Sequence, residues 1–587
     1  MKKRFLSVCV SFLTLALLGC SSLFAADYKP VAVVSVASCD SIDQSIARVL
    51  EAAGFEEIHS VLTMSLDGID GFDKTKPSGF VLLSDGKEFV PFFFLPIANA
   101  DDFTCPAAEA LKARFHYNSE NRTINFADPE EDEDGNELPL PEGTEFKLIE
   151  KNGWLFAAPA KYEASVPVDS DPLSFLNGID SKHLVGGTIT ISAIPAELID
   201  TLSAPLRVEA AKDEKAARQI DTLVKTFDYV KSNYESIEWG ISVDAAKGNI
   251  SLMTSALSVP GSTAEKAIKA TSKTKSVWTD LYRPEDAVLT GLLFGQQDAA
   301  LLALQKENIS ASVDAFLAKL DESISFEENE EKEKACFEEF KTLVAGWRDW
   351  AAAETNSANE DSAFSILEDG SLIFASEVSD GKAMSDMLSR SVDLIKKSLC
   401  GDEETDPQIS KFAANIKTKE NAFKDYSVTT FVIPKSFVDK GLPGLAVRPG
   451  YAFLIGINGN SVIVVAGPDQ KKVSASFKEI ADKKREPADA QQKWIFSVPN
   501  LAKFLLHIDT IKANQSLSVI FETAAAGDNN AAIVGETSFT ENSVSGNVTI
   551  NGDLFKLFND IFEKVKAESE KDSEDDAQLD TDAEDLF

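Results

Sequence analysis

The sequence predicts an α+β fold made of two related units, each an antiparallel sheet with helices packed on one face, the second unit carrying a long helical insertion. Three observations lead there. Short apolar segments are joined by Asp85-Gly86, Asn152-Gly153, Asp369-Gly370 and Asn458-Gly459. Asn or Asp followed by Gly suits the positive φ values of two-residue hairpin turns, and strands joined in this way are antiparallel neighbours. Between such hairpins lie segments with apolar residues at helical spacing, for example Ile220, Leu223, Val224, Phe227 and Val230. The markers also recur in order: Tyr28-Lys29-Pro30 and Tyr282-Arg283-Pro284 each precede a strand, followed by Asp-Gly and then Asn-Gly.

In the first unit, residues 27–270, the pattern reads as strand 31–36, helix 41–53, strands 79–83 and 89–95, helix 100–113, and strands 123–126, 145–148 and 154–157. A strand over 184–191, a helix from Pro195, a long helix over 207–236 and a hairpin of 239–243 with 250–253 complete it. The second unit, residues 271–567, repeats this with strand 287–293, a helical segment over 297–352, a hairpin over 364–375 and helix 381–398. Strands 427–432, 452–457 and 462–466, helix 469–483, strand 494–498, helix 499–511, strands between 517 and 550 and a helix over 553–567 follow. The spacing between matched markers grows along the chain, which places insertions in the second unit, one of them in the 297–352 segment. Residues 568–587 are dense in Asp and Glu and nearly free of apolar side chains, so they are expected to be a disordered acidic tail.

Residues 1–26 read as a signal segment. Lys2, Lys3 and Arg4 precede an apolar run from Phe5 to Leu18, which is shorter than the about 20 residues that a membrane-spanning helix needs. Two processing sites stay open. Leu17-Leu18-Gly19-Cys20 resembles a lipobox, with Cys20 as the lipidated residue, and Leu23-Phe24-Ala25 places a small residue before a cleavage site at Ala26. The expected location is the periplasm or the outer membrane as a lipoprotein, or alternatively outside the cell. Membrane attachment is expected only through a lipid at Cys20. The net charge of −38 disfavours nucleic acid and anionic lipid surfaces, both of which need a basic face. After processing, Cys39, Cys105, Cys336 and Cys400 remain. An oxidising compartment permits Cys39–Cys105 and Cys336–Cys400 bridges, each within one unit, and buried free thiols are the alternative.

The motifs for chemistry are sparse. The four histidines, His59, His116, His183 and His507, lie far apart, so no local metal pair exists. The acidic stretches 67–73 and 129–137 depart from the calcium-loop pattern at the positions that require Gly and Glu. Ser84-Asp-Gly-Lys87 and Ser379-Asp-Gly-Lys382 match S-x-x-K, but both read as turns, and the S-D-N and K-T-G partner motifs are missing. No phosphate-binding loop follows a strand, and no cofactor is implied. Trp347 and Trp350 share a helix face and read as packing. Lys483-Lys484-Arg485 reads as a solvated helix end.

Tyr28-Lys-Pro-Val-Ala-Val-Val-Ser-Val36, Asp73-Lys-Thr-Lys-Pro-Ser-Gly79, Phe94-Leu-Pro-Ile-Ala-Asn99 and Gly153-Trp-Leu-Phe-Ala-Ala158 resemble large exported proteins of unknown function from planctomycete-like bacteria. The resemblance implies a repeated α+β unit and an envelope location, and it carries no catalytic residue. The expected function is a non-enzymatic envelope protein, a binding module or scaffold for an unknown protein or envelope component. The alternative is an exported hydrolase with a site assembled between the units.

Overall fold

A computed structural model describes residues 28–54, 71–97, 116–125, 145–195, 214–324, 331–354, 359–399, 416–433 and 451–584, apart from Lys87 and Ser119, and Ala204 in addition. The fold is α+β, with antiparallel strands throughout. The chain divides into two compact units between Val259 and Pro260, earlier than the boundary after residue 270 that the sequence suggests. The reason is helix 263–271, which packs on strands of the second unit.

In the first unit β1 (Lys29–Val36), β2 (Ser78–Ser84), β3 (Phe89–Pro96), β4 (His116–Asn118) and β5 (Thr123–Asn125) are followed by β6 (Glu145–Lys151), β7 (Trp154–Pro159), β8 (Val185–Thr190), β9 (Tyr234–Asp244) and β10 (Asn249–Ser258). They hydrogen-bond in the order β4-β5-β6-β7-β3-β2-β1-β8-β9-β10. One sheet face is closed by the core of Val33, Val81, Phe92, Phe94 and Phe156, on which Leu176 and Ile179 sit. The last two come from single-turn helices α2 (Leu173–Leu176) and α3 (Ile179–Lys182). Helix α1 (Cys39–Ala53) starts at Ser38, whose Oγ accepts from the Ser41 amide at 3.2 Å, and stops at Gly54, where φ is 78°. Helix α4 (Glu214–Asn233) ends three residues before the expected limit of 236, because the β-favouring run from Tyr234 pairs as β9.

In the second unit α5 (Thr263–Thr271) leads to β11 (Ala287–Gln296), then the helices α6 (Ala299–Ser323) and α7 (Glu331–Glu354). Next come β12 (Asn359–Leu367), β13 (Leu372–Glu377), α8 (Gly381–Leu399), β14 (Lys417–Phe423), β15 (Tyr426–Val432), β16 (Ala452–Asn458), β17 (Ser461–Gly467) and α9 (Gln470–Asp482). The chain then forms β18 (Gln492–Ser497), α10 (Val498–Leu505), α11 (Asp509–Lys512), α12 (Gln515–Ala525), β19 (Ala532–Phe539), β20 (Ser543–Ile550) and α13 (Gly552–Glu584). Its strand order is β14-β15-β16-β17-β13-β12-β11-β18-β19-β20. Helix α9 lays Val473, Phe477 and Ile480 on a core of Leu292, Phe294, Ala375, Leu454 and Val465. Phe477 enters the sheet because residue 456 is glycine; a Cβ there would collide with its ring.

The two strand orders are therefore the same when the strands of each unit are counted from its own beginning. The irregularities agree too. Val31 is the extra residue of a bulge in β1 against β2, and Val288 is the extra residue of a bulge in β11 against β12. The four Asp-Gly and Asn-Gly turns close the equivalent hairpins β2–β3, β12–β13, β6–β7 and β16–β17. The φ values of Gly86, Gly370, Gly153 and Gly459 are 91°, 84°, 77° and 56°. The connections differ: residues 37–77 link β1 to β2, whereas the longer stretch 297–358, holding α6 and α7, links β11 to β12.

Two expectations are corrected. The start of the 517–550 region, expected to hold strands, lies in helix α12, since the Asn514 side chain caps it at the Leu517 amide (3.0 Å) and a run of alanines ends it. Residues 568–584, expected to be disordered, continue helix α13. Leu554 and Leu557 pack its first turns against Ala531, and the Glu, Lys and Ala that follow are good helix formers. The expected helices over 100–113 and from Pro195 lie outside the described residues. Among the described residues no helix is long and apolar enough to cross a membrane.

Candidate functional site

The chemistry gathers at one corner of the second sheet, where β12 begins and β13 ends. Asp361 and Glu377 stand directly opposite each other in the β12–β13 ladder, and Glu377 in turn faces Ser461 at the start of β17. The Asp361 carboxylate accepts from Ser276 Oγ at 2.6 Å and from the Val277 amide at 2.8 Å, which ties the segment before β11 to the sheet. Ser276 Oγ also accepts from the Trp278 amide at 3.0 Å, and Tyr426 Oη lies 3.2 Å from Ser461 Oγ. Both carboxyls are half-buried. Burial pushes the Asp361 carboxyl above its ordinary range, against the hydrogen bonds from Ser276 and Val277. Burial also raises Glu377, opposed by the Ser461 hydroxyl and reinforced by the charge of Asp361.

Beside this corner the Arg485 guanidinium, which is 10% exposed, holds Asp280 through Nε at 2.9 Å and Nη2 at 3.1 Å, and lies 4.9 Å from the Trp278 ring centroid. Lys483 reaches the same carboxylate at 2.9 Å. Burial alone would raise Asp280, but the hydrogen bonds from Arg485 and Lys483 outweigh it and hold the carboxyl below its usual range. Arg485 is thus packed into an ion cluster, while Lys483 and Lys484 stay exposed as expected of a solvated helix end.

The first sheet ends the equivalent ladder differently. There β3 and β7 finish with Pro96 opposite Trp154, where β13 and β17 finish with Glu377 opposite Ser461. Trp154 packs edge-on against Phe94 at 5.5 Å. These two ladder positions therefore carry no carboxylate, and the nearby Asp73 pairs with Lys76, which lies over the Trp154 ring.

The residues singled out from the sequence do not converge here. Cys39 and Cys336 are free thiols in this structure, and Cys20, Cys105 and Cys400 lie outside the described residues. Cys39 sits half-buried at the start of α1, and burial raises its thiol. His183 is 6% exposed, wedged against Gly240 and Gly186; neither ring nitrogen has a hydrogen-bond partner, and Glu238 Oε1 is 3.6 Å from Nε2. His507 is exposed and His59 lies outside the described residues. The stretches 67–70 and 129–137 also lie outside them, and Asp73 serves as a turn acceptor for Thr75 Oγ1 at 2.6 Å. Ser84 accepts from the Gly86 amide at 3.0 Å within its hairpin, and Asp380 caps α8 through the Ala383 amide at 2.8 Å, so both S-x-x-K stretches are turns. Trp347 and Trp350 meet edge-to-face at 5.6 Å, and Trp347 Nε1 donates to Ser391 Oγ of α8 at 3.1 Å, which makes them packing residues. Among the described residues no group of three or more His, Cys, Asp or Glu side chains is arranged to hold a metal.

Sequence reasoning missed Asp361, Glu377 and Ser276, because only the strand register brings them together. No family model, no curated protein and no solved structure matches the chain.

Proposed function

We propose that the mature chain is an exported envelope protein of non-enzymatic character, a binding module or scaffold built from two copies of one α+β unit. The single observation behind this reading is the shared ten-strand order with its matching bulges at Val31 and Val288, set beside different side chains at equivalent ladder positions, Pro96 and Trp154 against Glu377 and Ser461. What the two units have in common is architecture, and the chemistry at equivalent places has diverged. Such a pattern suits a protein whose surface is its product. On this reading residues 1–26 direct export, and a lipid on Cys20 is the sole membrane attachment. Its partner is a protein or another envelope component.

A hydrolase is the second reading, and the half-buried Asp361 and Glu377 pair is the observation in its favour. Assaying the mature protein and its Glu377→Gln variant against generic ester, glycoside and peptide substrates separates the two. The scaffold reading expects no turnover by either protein. Turnover by the wild type that the variant lacks would replace it with the hydrolase. Intact mass of the exported protein, beside Cys20→Ala, tests the anchor: a lipidated N-terminal Cys20 is expected, and a chain starting at Ala26 would remove the lipoprotein claim.

A further inference from the structure

A pair of like charges placed directly opposite each other on neighbouring strands is destabilising, and a sheet that keeps such a pair half-buried needs a cation or a proton between them. No described cation supplies the charge. Lys275, next to Ser276, pairs with Asp489 at 3.2 Å, and Lys483 and Arg485 are taken by Asp280. From β12, Glu360 is engaged with Gln297 Nε2 at 2.6 Å. From β11, Phe294 faces Asp361, and from β17 the Ser461 hydroxyl bonds Glu377, with Tyr426 of β15 in turn 3.2 Å from Ser461 Oγ. Among the described residues neither Asp361 nor Glu377 forms an ion pair with a cation, and a proton is the positive charge that solvent can supply to the pair.

The two carboxyls are not equivalent. Asp361 accepts a backbone amide and a hydroxyl, a setting that favours its ionised form, whereas Glu377 has one hydroxyl neighbour and the charge of Asp361 across the ladder. We propose that Asp361 and Glu377 form a proton-operated latch: Glu377 takes up a proton as the pH falls, and Asp361 then holds the 276–278 segment firmly on the sheet. When Glu377 is ionised, repulsion drives Asp361 away and loosens its grip on Ser276 and Val277. The segment concerned carries Trp278 and Leu281, 2% and 4% exposed, into the core of the second unit, and Asp280 into the Arg485 cluster. The latch therefore controls how tightly the entry into β11 is seated. The first unit has Pro96 and Trp154 at the equivalent place and no latch.

The test is hydrogen exchange of the Val277 amide in the full mature protein at neutral and mildly acidic pH, expressed as protection relative to the intrinsic rate at each pH. The wild type is expected to gain protection severalfold on acidification. Glu377→Gln, which keeps an acceptor for Ser461, is expected to show the acid-state protection at both pH values. Asp361→Asn is expected to lose the pH dependence as well, at lower protection, because one of its two acceptor atoms becomes a donor. Glu541→Gln, in the exposed β19–β20 turn, should retain the wild-type response. A wild-type response that survives in Glu377→Gln, or that disappears equally in Glu541→Gln, would overturn the latch.

Discussion

Set side by side, the two units carry the same sheet and fill it with different side chains. In the first, β8 offers Gly187 opposite Trp239 of β9; in the second, β18 offers Trp494 opposite Gly535 of β19. The indole and the space it needs have exchanged strands while the ladder stayed the same. At the far end of the β3–β7 ladder, Pro96 and Trp154 in one unit correspond to Glu377 and Ser461 in the other. The lesson is that register and bulge position are held by backbone pairing and by turn residues, while each core is packed as a solution of its own.

The largest effect that would sharpen this comparison is expected at Phe477. It is fully buried against Tyr426, at 6.0 Å, and Phe423, at 5.3 Å. Phe477→Ala should cost about 3–5 kcal/mol, read in denaturant, with increased exchange confined to the second unit. Equal loosening of β1 to β3 would mean that the units do not keep separate cores. Next in size, Gly240→Ala pushes a methyl into the His183 ring and should cost about 1–3 kcal/mol in the first unit. Shrinking the ring with His183→Ala in the same chain should recover part of that loss; no recovery would show that the glycine serves the backbone alone. Trp347→Phe removes the hydrogen bond to Ser391 in the helical insertion that the first unit lacks, at about 1 kcal/mol. A larger loss, felt in the sheet, would make the insertion part of the second core.

The smallest effect is the most specific. Asp361 and Glu377 both titrate above the ordinary carboxylate range in the folded state. A raised carboxyl binds its proton more tightly when folded, so its contribution to stability is present at low pH and is lost as the pH rises through the folded value. Acidification from neutral pH should therefore stabilise the second unit. At neutral pH Glu377→Gln should stabilise it by no more than about 1 kcal/mol. Thermal melts of wild type and variant at both pH values check this, and a destabilised variant at neutral pH would contradict it.

Much of this architecture is legible in the chain. Asp85-Gly86 and Asn458-Gly459 announce hairpins because only glycine takes up a positive φ without strain, and that demand is local. The Tyr-x-Pro starts mark β1 and β11 for another reason: proline fixes φ and keeps the residue before it out of the helical region. The edge strands β4 and β14 carry no such punctuation, so the sequence does not mark them. The region from 517 onward starts as a helix and not a strand, because the Asn514 cap decides the local structure against the strand preference of β-branched residues such as Val519 and Ile520. The Asp361–Glu377 pair was invisible, since two acids that are sixteen positions apart meet only once β12 and β13 adopt a particular register. Arg485 likewise reads as a surface charge until Trp278 and Asp280 arrive from a distant part of the sequence to cover it.

The measurement that bears most directly on the central claim is hydrogen exchange mapped across the whole mature protein. If the chain is one sheet architecture used twice, the slowest amides should fall in β1, β2, β3 and β8 and again in β11, β12, β13 and β18. Slow exchange in one set, with the equivalent strands of the other exchanging freely, would contradict it.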